Sequence, residues 1–127
     1  MAELWALRDG LSMCVDMQIP ALEVEFDAKV VADLMNNTTS LNADFAAIVA
    51  DCRQLLSQIP QVKVYHCYRE ANRCADALAR LGCTISLNVM FFNSPPPPPS
   101  ILNVFLSDLY GLTQIRFCPI IDTPISV

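Results

Sequence analysis

Basic residues are scarce in this chain. Eight Lys and Arg stand against thirteen Asp and Glu, for a formal charge of −5. A protein that grips nucleic acid by bulk electrostatics needs clustered cations to displace counterions, so any such contact here has to be local. Histidine occurs once, and the six cysteines at positions 14, 52, 67, 74, 83 and 118 form no C-x-x-C pair. That spacing argues against a zinc finger and favours small buried hydrophobes. The start of the chain lacks a basic segment followed by an apolar one, so no secretory signal is expected and an intracellular, reducing location is the default. No apolar run reaches the roughly 18 residues of a membrane helix, and no membrane partner is expected. What remains is 127 residues, 54% hydrophobic and 17% charged, enough for one globular domain with a modest core.

The hydrophobic pattern alternates between two periods. Over residues 2 to 17, Leu4, Leu7, Leu11 and Cys14 or Val15 recur at helical spacing. Ile19-Pro20 stops that helix, and ALEVEFDA then alternates Leu22, Val24 and Phe26 with Glu23, Glu25 and Asp27, the period-two signature of a strand. DAKVVADLM reads as a short helix with Asp27 as a candidate N-cap, closing at Asn36-Asn37. A longer helix follows, its stripe built from Leu41, Phe45, Ile48, Val49, Cys52, Leu55 and Leu56, and Pro60 ends it. QVKVYHCY is a second strand, and a last helix is expected from about Glu70 to Leu81 with Gly82 as its cap. Helix, strand, helix, helix, strand, helix is an α/β layer arrangement. Two strands do not make a stable sheet, so the pattern calls for further strands or for a partner chain at the strand edges.

Residues 83 to 127 differ in kind and are read as a Pro-rich C-terminal tail. Five consecutive prolines at 95 to 99 impose extended polyproline II geometry, which suits a spacer. ILNVFLSDLYG reads as a short helix or an edge element, and LTQIRFCPIIDTPISV has no clear period.

Carboxylates punctuate the first 82 residues in a set order. Glu3 lies in AELWALRDGL, Asp27 closes the strand EVEFDA, and Asp76 falls within REANRCADALA. In wording and order these segments resemble the ribonuclease H-like domains common in plant genomes, the group described as reverse-transcriptase-like. The resemblance spans about residues 2 to 82, and REANRCADALARLG is its most specific part. It implies a mixed five-stranded sheet flanked by helices, and metal-dependent cleavage of the RNA strand of an RNA–DNA hybrid. By position, Glu3, Asp27 and Asp76 match carboxylates that hold two divalent cations, Mg²⁺ or Mn²⁺. Hard cations of this kind take oxygen ligands, and a pair about 3.5–4 Å apart activates water and stabilises the leaving oxygen.

The departures from the family pattern shape the expectation. The family's first catalytic Asp lies on a first strand, within a three-stranded meander that precedes the Glu-bearing helix. Here Glu3 is the third residue, so the chain reads as a partial domain, 1 to 82, lacking three strands and one ligand, with weak or absent catalysis. The single His66 falls in a strand, away from the loop where some members carry a His. Position 28 is Ala where many relatives have Ser, which removes a helix-capping hydroxyl.

Each residue also has a plainer reading. Glu3 suits the positive end of a helix dipole, and Asp27 suits a cap. Asp76 reads as a solvated helix residue; against that, its position four residues after Asn72 puts both polar side chains on one face, while Leu78 and Leu81 can point into the core. Arg69, Arg73 and Arg80 read as surface charges; the alternative is that Arg69 and Arg73, beside Asn72, contact phosphate at a cleft edge. Trp5 is expected to pack rather than to stack on bases. A second functional reading is a non-catalytic interaction module that associates with itself or another chain through unpaired strand edges.

Overall fold

Leu4, Leu7 and Leu11 fall on one stripe of the first helix because they are spaced three and four apart, and all of them are buried. They meet the stripe Ile48, Val49, Cys52 and Leu56 of a second long helix, of which Val49 and Cys52 are wholly sequestered from solvent. In the computed structural model these helices are α1 (Ala2–Asp16) and α3 (Ala46–Ser57). The model describes residues 2–37, 42–86, 90, 92 and 99–111. Between and after them come β1 (Ala21–Phe26), α2 (Lys29–Met35), a 3₁₀ turn (Ala43–Phe45), β2 (Gln61–His66), a second 3₁₀ turn (Arg69–Ala71), α4 (Arg73–Gly82) and α5 (Pro99–Leu109). The chain divides into two compact units, Met1–Asn72 and Arg73–Val127.

The first unit holds the sheet and the main core. β1 and β2 pair in parallel, in the register Ala21 to Gln61 through Phe26 to His66. Leu22, Val24, Phe26, Val62 and Val64 turn one face of the ribbon to the helices, while Glu23, Glu25, Lys63 and Tyr65 occupy the exposed face. From α2, Val31, Leu34 and Met35 join the same core. Among the described residues the sheet has these two strands, the two that the sequence pattern predicts. The α/β class itself stands. The cysteines are less uniform than the sequence suggests: Cys52 is buried, Cys14, Cys67 and Cys74 are half-buried, and Cys83 is exposed. Burial raises the Cys52 thiol above its usual pKa, and the protonated Sγ donates to the Leu4 carbonyl at 3.6 Å. That contact ties α3 to α1.

Helix ends follow the local chemistry. Ile19 N–H donates to the Cys14 carbonyl and Gln18 N–H to that of Val15, both at 3.0 Å, with Gln18 at φ 55°. This is a Schellman ending in which a glutamine occupies the left-handed position that glycine fills at least cost. Asn37, at φ 57°, plays the corresponding part after α2, where asparagine is better tolerated. Asn36 is the C-cap of α2, in keeping with the closure expected at Asn36-Asn37. The start of α2 departs from the expectation: Ala28, not Asp27, is the N-cap, and no side chain bonds the first turn. The longer helix is also shorter than its pattern, because Asn42 accepts from Asp44 N–H and opens a 3₁₀ turn before α3 begins. Leu41 lies outside the described residues.

In the second unit, α5 opens on Pro99, the last of the five prolines, a position where the missing N–H costs nothing. The segment read as either helix or edge element is thus a helix. Its Ile101 is buried, whereas Leu102, Phe105 and Leu109 remain exposed. The unassigned segment 112 to 127 lies outside the described residues.

Replacing Gln18 by glycine should relieve the left-handed strain and raise stability by about 1 kcal/mol. Thermal unfolding of the two proteins checks this, and an unchanged or lower midpoint would show that the Gln18 side chain earns its place by another contact.

Candidate nucleic-acid and carboxylate site

Two hydrogen bonds fix the direction in which the strands run. Gln61 N–H donates to the Pro20 carbonyl at 3.1 Å at the start of the ribbon, and Cys67 N–H to that of Phe26 at 2.7 Å at its end. The helices keep the same sense relative to one another: Leu4 meets Cys52, and Arg8, Asp9 and Ser12 share a groove of about 340 Å³ with Asp51, Gln54, Leu55 and Gln58. Since α1 and α3 both lead back to the start of the strands, the first turn of α1 is left at the opposite end. Glu3 and Asp27 therefore lie at one end of the first unit, the carboxyl end of the parallel strands. Ligands of open α/β sheets settle at that end, beyond the last strand residues.

Each candidate residue has a definite setting there. Glu3 is exposed in the first turn of α1, and its carboxyl is held below the usual range, chiefly by a hydrogen bond from its own backbone N–H. Asp27, just past β1, has a side chain 29% exposed, and its Oδ2 lies 3.5 Å from Nε of Arg69. Arg69 is delivered by the 3₁₀ turn that follows β2, closed by Ala71 N–H to the Tyr68 carbonyl and Asn72 N–H to that of Arg69. Asn72 ends this turn at φ −97° and ψ 32°. It is outside α4, so the expected single helix from Glu70 to Leu81 is a 3₁₀ turn followed by a helix that starts at Arg73. Asn72 and Asp76 do not share a helix face for the same reason. His66 closes β2 with its ring edge-on to Tyr68 at 5.4 Å.

The second unit carries the other candidates. Asp76 pairs with Arg80 at 3.1 Å, one turn along α4. Both border a groove of about 580 Å³ with Arg73, Leu81, Thr84 and Val104. Gly82 is the last helical residue rather than a cap beyond it. Leu78 is 43% exposed and does not turn inward as its spacing suggests, while Leu81 is half-buried.

These side chains have the chemistry of cation ligands. Among the described residues no three His, Cys, Asp or Glu side chains gather closely enough to hold a metal ion. Two of the three expected carboxylates instead face arginines. The Asp76–Arg80 pair is the one that i, i+4 spacing on a helix favours. The Asp27–Arg69 pair had no sequence signal, because the fold alone brings the two together. Trp5 also differs from expectation: it is 47% exposed, with the Arg8 guanidinium 4.6 Å from its ring centroid. That is a cation–π contact at the surface rather than packing in the core.

Helices packed on a small parallel sheet make an α/β domain, consistent with a ribonuclease H-like class. A family model described as reverse transcriptase-like matches residues 1–82, and the chain belongs to this ribonuclease H-like family. It is also 32% identical over 115 residues to an Arabidopsis thaliana protein named "Putative ribonuclease H protein". That match takes in 91% of this chain and 18% of the relative, so the chain spans less than a fifth of the relative's length. No solved structure matches the chain significantly. Among the described residues no helix is long and apolar enough to cross a membrane.

The lowered Glu3 pKa has a consequence for acid stability. A carboxyl depressed in the folded state adds stability above its ordinary value of 4.5, and that part is lost as pH falls through the lowered value. Urea midpoints at pH 7 and about pH 3 should therefore converge for wild type and Glu3→Gln on the acid side. A constant gap between the two proteins would show that Glu3 gains nothing from its ionised form.

Proposed function

We propose that this chain is a nucleic-acid-binding domain of ribonuclease H type whose own hydrolytic activity toward an RNA–DNA hybrid is weak or absent. The observation that supports binding is the placement of Arg69 at the carboxyl end of the parallel strands, beside Asp27. An acidic chain must contact phosphate through local cations, and Arg69 is 85% exposed there. Arg73, first residue of α4, and Asn72, which precedes it, are the other proposed contacts. Glu3, Asp27 and Asp76 are the proposed ligands for Mg²⁺ or Mn²⁺ in an active form of the domain. The weak-activity reading rests on the unmatched first family Asp and is supported by two of the carboxylates lying against arginines.

Fluorescence anisotropy with a labelled hybrid in EDTA tests binding apart from chemistry. Arg69→Ala with Arg73→Ala should weaken binding and lower the slope of log K against log salt by about 2, roughly one per phosphate contact. An unchanged slope would remove both residues from the interface. Incubating the chain with hybrid and Mg²⁺ should give no turnover above background. Turnover abolished by Asp76→Asn would overturn the weak-activity reading.

A second reading, an interaction module that pairs through a strand edge, is favoured by an asymmetry in the sheet. Carbonyls of Pro20 and Phe26 face β2, so Ala21, Glu23 and Glu25 direct their backbone groups to the other side of β1. On β2 the outward carbonyl of Val64 already accepts from Asn36 Nδ2 at 3.2 Å. The β1 edge pairs with no other strand among the described residues. On this reading, size-exclusion chromatography with light scattering gives a dimer that Glu23→Pro dissociates, since proline cannot donate to a new ladder. A monomer at every concentration would dismiss it.

A further inference from the structure

The open edge of β1 discriminates between the strands that could lie on it. Ala21, Glu23 and Glu25 each turn an N–H and a carbonyl away from β2, and none of these groups is hydrogen-bonded among the described residues. A strand added there also meets two rows of side chains, because residues alternate between the faces of a sheet. On the face turned to the helices it lies beside Leu22 and Val24, which pack against the core. On the open face it lies beside Glu23 and Glu25, both exposed. From β2, Lys63 stands in register with Glu23, whereas Tyr65 stands in register with Glu25.

These charges rank the possible partners. A second copy that pairs through its own β1, antiparallel and with full overlap, sets Glu23 directly opposite Glu23 of the other copy. Like charges in that position destabilise a strand pair, so self-association at this edge is the weaker mode. We infer that the β1 edge selects a strand of another polypeptide in which Lys or Arg alternates with apolar residues. The cations face Glu23 and Glu25, and the apolar residues continue the Leu22 and Val24 face. This selectivity rests on the strand-edge reading and adds to it the chemistry of the partner, which displaces the dimer. Glu25 contributes more to the choice than Glu23, because Lys63 already offsets Glu23 from the neighbouring strand.

The test uses the full chain and end-capped peptides, with amide shifts at residues 21 to 25 in ¹H–¹⁵N spectra as the readout. Lys-Val-Lys-Val-Lys should bind about tenfold more tightly than Glu-Val-Glu-Val-Glu, the range expected for two cross-strand charge pairs. The reordered Lys-Lys-Lys-Val-Val, of equal charge, should bind several-fold more weakly than the alternating peptide. Glu25→Gln should weaken the alternating basic peptide about two- to fivefold, and Glu23→Gln less. Glu23→Lys combined with Glu25→Lys should reverse the order of the basic and acidic peptides. The spectra report the folding of each variant independently. Equal binding of the basic and acidic peptides at these amides would leave the edge as a docking site and refute its charge selection. Equal binding of the reordered peptide would reduce the effect to bulk attraction and overturn the inference. If no peptide binds while the dimer forms and is lost in Glu23→Pro, the strand-edge reading stands and the basic partner falls. A monomer at every concentration that binds no peptide removes both.

Discussion

Everything in the first unit depends on the contact between α1 and α3. A two-stranded ribbon buries too little to hold itself together, and a parallel one also needs a covered face. Here that cover comes from Leu4, Leu7 and Leu11 against Ile48, Val49, Cys52 and Leu56, with α2 completing it. The Cys52 thiol also bonds the Leu4 carbonyl across this contact. Once the direction of the helices is set, the first turn of α1 and the end of β1 must fall at one end. The positions of Glu3 and Asp27 are consequences of hydrophobic packing some distance away.

At that end, electrostatics decides what the carboxylates do. Ion pairs among the described residues include Lys29 with Asp33 at 2.7 Å, Arg8 with Asp9 at 2.9 Å, Arg80 with Asp76 and Arg69 with Asp27. Most are local in sequence and exposed, so each contributes little to stability. The Asp27–Arg69 pair links the ends of two adjacent strands and places a cation where an anion would approach.

Family membership and local wording were plain in the residues. REANRCADALARLG and the order Glu3, Asp27, Asp76 carried the resemblance, and the helix and strand periods located the elements to within a few residues. Local spacing is a weaker guide at element boundaries and to which face is covered. Asp is a common cap, which makes Asp27 a candidate, yet Arg69 lies against its side chain and Ala28 is the N-cap of α2. Glu70 to Leu81 was read as one helix because the apolar spacing runs through it, while the backbone at Asn72 interrupts it. Leu78 was placed inside by periodicity, which cannot tell whether anything packs against a given face.

The sequence by itself determined the α/β class, the helix stripes, the two strands and the family, because these depend on residue type and on spacing along the chain. Only the tertiary structure decided that the strands run parallel, that Glu3 and Asp27 share an end, and that Arg69 stands against Asp27. Those are relations between residues distant in sequence, and they follow from which faces pack together rather than from any local preference.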